Sequence, residues 1–235
     1  MAEYGRERLK SNPYPGRGII LGLDATGRYA MQIYWITARS EGSKNRILEI
    51  EGEDVRTQPF DSAERSKDPN IWYRAIARVG DRHVVSNGVH TDTIVDFLDH
   101  KKPFAEAVRT TSYETDEPNF TPRIAGMTEL NEGRVQASFG MAFRHKSGHA
   151  QHNVYGCQPA PGMGRCFHTY LEDGNPVPAF TERPYDIELP GTPEEAAAGV
   201  WGELLPPEKR VAMALKVIEV NTGEVASLTV KNERT

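Results

Sequence analysis

The sequence contains little cysteine, no long apolar run and no excess of basic residues. Its 235 residues include only Cys157 and Cys166, so we expect no disulfide framework and a reducing, cytoplasmic compartment. No apolar stretch approaches the length of a membrane span, and the N-terminal segment lacks the apolar core of a signal peptide. The net charge of −5 argues against a general nucleic-acid-binding protein. These absences predict a soluble protein without membrane or nucleic-acid partners.

The composition is that of an ordinary globular protein. Hydrophobic residues make up 38% of the chain and charged residues 26%, and the length suffices for one substantial core. The sequence shows no internal repeat and no linker, so we expect a single domain over residues 1–235 that ends in a charged tail at 231–235.

Apolar alternation and turn residues predict mainly antiparallel hairpins. The expected strands are 17–23, 30–38, 46–50, 54–60, 72–79, 83–86, 124–130, 134–143, 166–171, 211–220 and 224–230. Helices are expected at 91–99, at 103–110 and from the capping residue Thr192 to about Leu204, and a loop at 156–164. Two blocks of hairpins with helices between and after them predict an α+β fold, a four-layer sandwich of two antiparallel sheets covered by helices.

Residues 84–94 change from a strand to a helix at the turn Ser86-Asn87-Gly88. Such a joint exposes unpaired backbone N–H groups, glycine permits close approach of a ligand, and a helix start favours an anion. The segment therefore indicates a phosphate site. The alternative is a plain strand–turn–helix joint in which Thr91 or Asp92 caps the helix.

The segment 112–127 combines acids with polar and basic residues just before an apolar strand: Glu114, Asp116, Glu117, Asn119, Thr121 and Arg123. A carboxylate crowded by others has a raised pKa and can act as an acid or a base. A guanidinium beside it can bind a phosphate or a carbonyl oxygen. The alternative is a solvated acidic loop in which Arg123 is only an ion-pair partner.

Two further segments contain candidate ligand-binding groups. Arg39-Ser40 and Asn45-Arg46 bracket a short loop, and this cationic entrance indicates a visiting anion. The region 145–168 contains several potential metal ligands: His145, His149, His152, Cys157, Cys166 and His168. Their spacing fits no zinc template, so we expect no metal site but solvated loop histidines, with His168 the one that points into a site.

Together these segments resemble the archaeal-type IMP cyclohydrolases. The matching pieces are Tyr-Pro-Gly-Arg-Gly at 14–18, Arg39-Ser40 with Asn45-Arg46, Ser-Asn-Gly-Val-His-Thr-Asp at 86–92, and Tyr-Glu-Thr-Asp with Asn-Phe-Thr-Pro-Arg-Ile-Ala-Gly at 113–126. The run Cys-Phe-His-Thr-Tyr at 166–170 is similar to longer members. Residues 1–13 and 145–164 look like elaborations on the shorter ones.

The resemblance implies a fold similar to that of the N-terminal-nucleophile hydrolases. Met1-Ala2 offers no Ser, Thr or Cys nucleophile, so self-processing amide hydrolysis is not expected. It also implies a ring closure of the cyclic amidine hydrolase class. In formamido-imidazole-carboxamide ribotide (FAICAR), the carboxamide nitrogen attacks the formyl carbon and water leaves to give IMP.

This intramolecular reaction requires orientation, an oxyanion stabiliser and a proton carrier, and no metal or cofactor. Under the resemblance, Arg39 polarises the formyl oxygen, Glu114 moves protons and Tyr73 donates a hydroxyl. The expected substrate-binding residues are Asn45, Arg46, Ser86, Asn87, Gly88, Thr91, Asp92, Asn119, Thr121 and Arg123.

Among these, Arg46, Asn87, Gly88 and Thr91 are expected at the ribose-phosphate. The expected partner is the purine ribotide, and a homo-oligomer is compatible with the sequence. The alternative is a non-catalytic purine-nucleotide-binding protein on the same fold. The presence of both Arg39 and Glu114 favours the enzyme, because simple binding would not require a carboxylate cluster beside an anionic ligand.

Overall fold

The computed structural model describes residues 2–66, 68–131 and 133–234, where two antiparallel sheets contain all the strands. The strands are β1 (Arg17–Leu23), β2 (Tyr29–Thr37), β3 (Ile47–Glu51), β4 (Asp54–Gln58), β5 (Arg74–Val79), β6 (Arg82–Ser86), β7 (Arg123–Asn131), β8 (Arg134–Arg144), β9 (Ala150–Cys157), β10 (Met163–His168), β11 (Tyr185–Glu188), β12 (Arg210–Glu219) and β13 (Val225–Asn232). The six-stranded sheet has the order β11-β10-β1-β2-β12-β13, and the seven-stranded sheet runs from β3 to β9 in chain order.

Five α-helices lie in the described part of the chain, and four of them pack on the sheets. They are α1 (Ala2–Ser11), α2 (Glu41–Lys44), α3 (His90–Asp99), α4 (Phe104–Thr110) and α5 (Pro193–Glu203), with short 3₁₀ helices at Pro69–Ile71 and Pro207–Lys209. Helices α1 and α5 pack on the six-stranded sheet, and α3 and α4 on the other. The predicted α+β class is therefore confirmed. No helix in the described part of the chain is long and apolar enough to cross a membrane.

Strand alternation produces three apolar layers. Ile19 of β1 packs between the sheets with Phe139 of β8, whereas its neighbour Ile20 points outward and packs with Val200 of α5. Ile94 of α3 belongs to a third core on the outer face of the seven-stranded sheet. Successive residues of one strand thus fill different layers, which explains why the central strands are apolar on both faces.

Helix α5 begins at the capping residue that the sequence predicted, Thr192. The Thr192 hydroxyl accepts a hydrogen bond from the backbone N–H of Glu195 at 3.2 Å, and the Glu195 carboxylate accepts one from the backbone N–H of Thr192 at 2.8 Å. This reciprocal cap satisfies two N–H groups that the helix itself leaves without partners.

The expectation of a solvated loop around the histidines that follow β8 was wrong, because strand β9 occupies residues 150–157 and pairs with β8. The loop predicted at 156–164 is confirmed for residues 158–162, between β9 and β10. Strand β9 lies at a sheet edge and buries none of its residues fully, so it lacks the alternation that predicts a strand. The predicted turn at 131–133 contains Glu132, which lies outside the described residues.

One charged side chain lies fully buried away from any cavity. Lys216 of β12 has no exposed surface, and its Nζ donates to the backbone oxygen of Glu53 at 3.0 Å. Burial lowers the pKa of Lys216 from 10.5 to about 8, because the apolar surroundings disfavour the ammonium form. At neutral pH the folded protein therefore holds this charge at a cost in stability.

Replacing Lys216 by Met should stabilise the protein at pH 7, because it removes the buried charge and keeps the apolar stem. A pKa lowered from 10.5 to about 8 corresponds to a cost of up to about 3 kcal/mol below pH 8. Between these two pKa values the folded wild type releases a proton that the unfolded chain retains, so its unfolding free energy rises with pH. Urea titrations of both proteins at pH 7 and pH 9.5 measure the difference. A variant that is less stable than wild type at pH 7 would contradict this account.

Candidate active site

A polar cleft of about 210 Å³ opens where β1 begins and β2 ends, and we call it the main cleft. Its walls carry charges of both signs, hydroxyls and two tyrosines: Tyr14, Arg17, Arg39, Ser40, Ser43, Arg46, Asp68, Asn70, Ile71, Glu114, Asp116, Asn119 and Tyr170. This lining suits a charged, hydrogen-bonding molecule better than an apolar one.

The carboxylate of Glu114 is the most constrained charge in the main cleft. Arg17 Nη2 donates to Glu114 Oε1 at 2.7 Å, and Arg123 Nη1 donates to the same oxygen at 3.0 Å. Oε2 has no hydrogen bond within the described part of the chain, although the residue is only 6% exposed. Burial raises the pKa of the Glu114 carboxyl, and the charges of Arg17 and Arg123 oppose that rise.

The segment that carries Glu114 is a folded loop. Asp116 accepts hydrogen bonds from the backbone N–H and the hydroxyl of Thr121, at 2.7 and 2.5 Å, and Glu114 N donates to Thr121 O at 2.9 Å. Asn119 Oδ1 accepts from Val177 N at 2.9 Å. The sequence attributed the raised pKa of Glu114 to crowding by neighbouring acids. Burial is instead its main cause, and Asp116 contributes less.

Arg123 connects this loop to the turn at 86–88. Its Nη2 donates to Asn70 Oδ1 at 2.6 Å, and its Nη1 also reaches the backbone oxygen of Asn87 at 3.3 Å. A Cβ built on Gly88 would lie 1.9 Å from Arg123 Nη1. The glycine therefore leaves space for the guanidinium of Arg123.

The other polar groups of the 86–92 segment bond within the fold. Asn87 Nδ2 donates to Pro122 O at 2.9 Å and Asn87 Oδ1 accepts from Ile124 N at 2.8 Å, while the Ser86 and Thr91 hydroxyls bond to each other. Asp92 forms an ion pair with Arg74 at 2.6 Å. None of the predicted substrate-binding residues in this segment lines the main cleft: Ser86, Asn87, Gly88, Thr91 and Asp92.

A second cavity of about 310 Å³ lies beside the main cleft and shares Asn70 and Glu114 with it. His90 lines this cavity, with its Nε2 at 3.1 Å from Ile124 O and its Nδ1 without a partner among the described residues. Burial lowers the pKa of His90 to about 3, so the ring is neutral at physiological pH.

The two arginines of the predicted cationic entrance both line the main cleft, but they differ in their partners. Arg39 Nη1 donates to Asp173 Oδ1 at 2.7 Å and to Gly174 O at 2.8 Å. Arg46 is 3% exposed, its Nε donates to Ser43 O at 2.8 Å, and no carboxylate of the described residues lies within 4.0 Å of it. Arg46 is thus the less compensated cation in the main cleft.

Two other predicted residues, Tyr73 and Asn45, do not line the main cleft. The Tyr73 hydroxyl bonds to the Tyr34 hydroxyl at 2.6 Å, both side chains are buried, and neither lines the main cleft. Asn45 Nδ2 donates to the backbone oxygens of Asp61 and Glu64, at 2.9 and 3.0 Å, so it holds the neighbouring loop.

The cysteines and histidines of 145–168 are dispersed. His145 and His149 flank Ser147 on the turn after β8, His152 bonds to Thr111 O at 2.6 Å, and His168 is buried against Phe180 with ring centres 4.6 Å apart. His168 does not line the main cleft. Within the described residues, no group of three or more His, Cys, Asp or Glu side chains is placed to hold a metal ion.

The main cleft therefore brings together four of the predicted residues, Arg39, Arg46, Glu114 and Asn119, and Arg123 supports them through Glu114. Several residues that line the main cleft were not predicted as site residues, including Tyr14, Arg17, Asn70 and Tyr170. The first two lie in the motif at 14–18, which carried the family resemblance and was the available signal.

Comparison with known proteins gives a consistent family. The sequence profile of the family described as IMP cyclohydrolase-like protein matches residues 14–223. An IMP cyclohydrolase of Methanococcus maripaludis is 37% identical over 124 residues, which are 51% of this chain and 60% of the relative. One from Haloquadratum walsbyi is 32% identical over 118 residues, 48% of this chain and 56% of the relative. The chain thus spans about three fifths of the curated relatives it matches.

Replacing Gly88 by Ala should displace Arg123, because the new Cβ would lie 1.9 Å from Nη1 and 2.6 Å from Cζ. Overpacking of this kind costs about 1–3 kcal/mol of stability. Gly202 of α5 is the matched control, since a Cβ there meets nothing within 4 Å and alanine favours a helix. Denaturant unfolding compares the three proteins. If Gly88→Ala is as stable as Gly202→Ala, Arg123 does not occupy the space beside Gly88.

Proposed function

Because the chain belongs to the family of IMP cyclohydrolase-like proteins, we propose that it closes the purine ring of FAICAR to form IMP and water. Relatives named IMP cyclohydrolase match about half of the chain. The observation that carries the proposal is the carboxylate of Glu114, which lines the main cleft and is held through Oε1 by two arginines, while Oε2 forms no hydrogen bond within the described residues.

Glu114 can carry the protons that the reaction moves. As the carboxamide nitrogen bonds to the formyl carbon, one of its protons passes to the carboxylate and from there to the formyl oxygen, which becomes the hydroxyl of a carbinolamine. The carboxylate then takes the proton of the former formamide nitrogen and delivers it to that hydroxyl, which leaves as water while the ring C=N bond forms. Burial supports this double role, because it raises the pKa of Glu114 and so favours protonation of the carboxyl, whereas the charges of Arg17 and Arg123 favour the carboxylate.

The arginines provide two further functions in this proposal. Arg46, without a carboxylate partner among the described residues, binds the ribotide phosphate together with the Ser40 and Ser43 hydroxyls. Arg39 stabilises the negative charge that develops on the formyl oxygen. Its contact with Asp173 holds the guanidinium at the rim of the main cleft.

The remaining predicted residues act on the shape of the site. Arg123, Asn119 and Thr121 hold the loop that carries Glu114, and the turn at 86–88 leaves space for Arg123. Tyr14 and Tyr170, stacked with ring centres 5.2 Å apart, form an aromatic wall against which the imidazole ring can lie. We also propose that the two-sheet sandwich is similar to that of the N-terminal-nucleophile hydrolases.

The purified chain should convert FAICAR to IMP without added metal, folate or nucleotide. Absorbance change and chromatography of the product measure the rate. Glu114→Gln keeps the shape of the side chain and removes proton transfer, so turnover should fall by about two to four decades. No IMP above the uncatalysed rate, with or without divalent metal, would refute the proposal. Tight IMP binding without turnover would identify a nucleotide-binding protein instead.

Arg46 and Arg39 should differ in the step that they affect. Arg46→Met should weaken IMP binding, because a phosphate ligand is lost. Arg39→Met should lower turnover by about two to three decades and change IMP binding less, because its charge is needed mainly in the transition state. Arg56→Met removes an exposed arginine paired with Glu51 at a distance from the main cleft and serves as the control. Equal effects of the two cleft variants on binding and turnover would contradict this division.

A further inference from the structure

Arg17 is held in place more firmly than an ordinary surface arginine. Its side chain is 12% exposed, and its guanidinium carbon lies 5.8 Å from the centre of the Tyr170 ring. Its backbone N–H donates to the Thr169 hydroxyl at 3.1 Å, and its backbone oxygen accepts from the backbone N–H of Thr169 at 2.9 Å. Its Nη2 reaches Glu114 Oε1 at 2.7 Å, although the two residues are 97 positions apart in the sequence.

We propose that Arg17 is a positioning residue, which fixes the orientation of the Glu114 carboxylate so that Oε2 faces the reacting groups. This inference rests on the proposed cyclohydrolase function. It adds to that function a residue that does not touch the formyl carbon or the attacking nitrogen and acts through Glu114.

Arg17 and Arg123 share one oxygen of the Glu114 carboxylate. A carboxylate with one hydrogen-bond donor can turn about its Cγ–Cδ bond and exchange its two oxygens. Here Arg17 at the start of β1 and Arg123 at the start of β7 donate to the same oxygen from different sheets. Rotation would break both charge-assisted hydrogen bonds at once, so the two oxygens do not exchange and the free oxygen keeps its direction.

A purely structural ion pair would not require this arrangement. Two arginines that only neutralise a buried carboxylate could bind one oxygen each, and such a geometry would leave no oxygen for a substrate. The charges that face Glu114 come from Arg17, Arg123, Asp116 and Arg46, and of these only the first two contact it as ion-pair partners. The arrangement is that of a proton carrier with one protected and one available oxygen.

The first test is a titration of Glu114 by carboxyl ¹³C NMR in wild type, Arg17→Lys and Arg17→Met. Loss of a neighbouring positive charge should raise the pKa of Glu114 by about one to three units in Arg17→Met, and Lys should restore part of the difference. Arg6→Met is the matched control, since it breaks a similarly buried ion pair with Glu203 at 2.7 Å and should leave Glu114 unchanged. An unchanged pKa in Arg17→Met would overturn the inference.

The second test is a double-mutant cycle on FAICAR turnover. Arg17→Met should lower kcat by about a hundredfold with little change in KM, as expected when a catalytic group is misplaced, and its kcat–pH profile should follow the NMR titration. In the Glu114→Gln background, Arg17→Met should have almost no further effect on kcat. Effects that multiply would show that Arg17 acts independently of Glu114 and would overturn the inference.

These measurements separate this inference from the proposed function. The NMR titration needs no turnover and no ligand. A shifted pKa of Glu114 in a protein whose wild type forms no IMP would refute the cyclohydrolase while the contact between Arg17 and Glu114 stands. If Arg17→Met fails to fold, Arg17→Lys supplies the same comparison, because it keeps the charge and shortens the reach.

Discussion

The buried carboxylate of Glu114 between two guanidinium groups is the interaction on which the rest of the site depends. An ionised carboxylate is costly to bury unless charge and hydrogen bonds compensate it. Arg17 and Arg123 provide both, and they begin strands that belong to different sheets. The pairing therefore links the two sheets at one end of the sandwich, and each of the three side chains would be left with an uncompensated charge without the others.

The fold explains why this triplet lies at the end of the strands. Between the sheets, buried residues such as Ile19, Tyr34 and Ile124 form an apolar layer, and a charged group placed there would lose its hydration. The pairing of β1 and β7 with their neighbours starts at Arg17 and Arg123, so these side chains stand at the rim of that layer, where polar groups can meet a ligand. The charged side chains of the main cleft therefore lie at the rim and not in the apolar centre.

Close packing at Gly88 shows how backbone and site depend on each other. Arg123 can reach Glu114 only because no Cβ occupies its path past the turn after β6. The polar side chains of that turn bond to the loop before β7, at Pro122 and Ile124, and so hold the path open. The turn at 86–88, which the sequence predicted as a phosphate site, thus contributes to the main cleft by leaving space for Arg123.

The sequence by itself determined the α+β class, the central strands, the cap of α5 and the segments that supply Arg39, Arg46 and Glu114, because these depend on local periodicity and short motifs. It did not predict the edge strand β9, whose residues lack a buried face. Only the tertiary structure decided that Arg17 contacts Glu114 and that His168 is buried away from the main cleft. The physical reason is that partners 97 residues apart meet through the registers of two packed sheets, which no local pattern in the chain encodes.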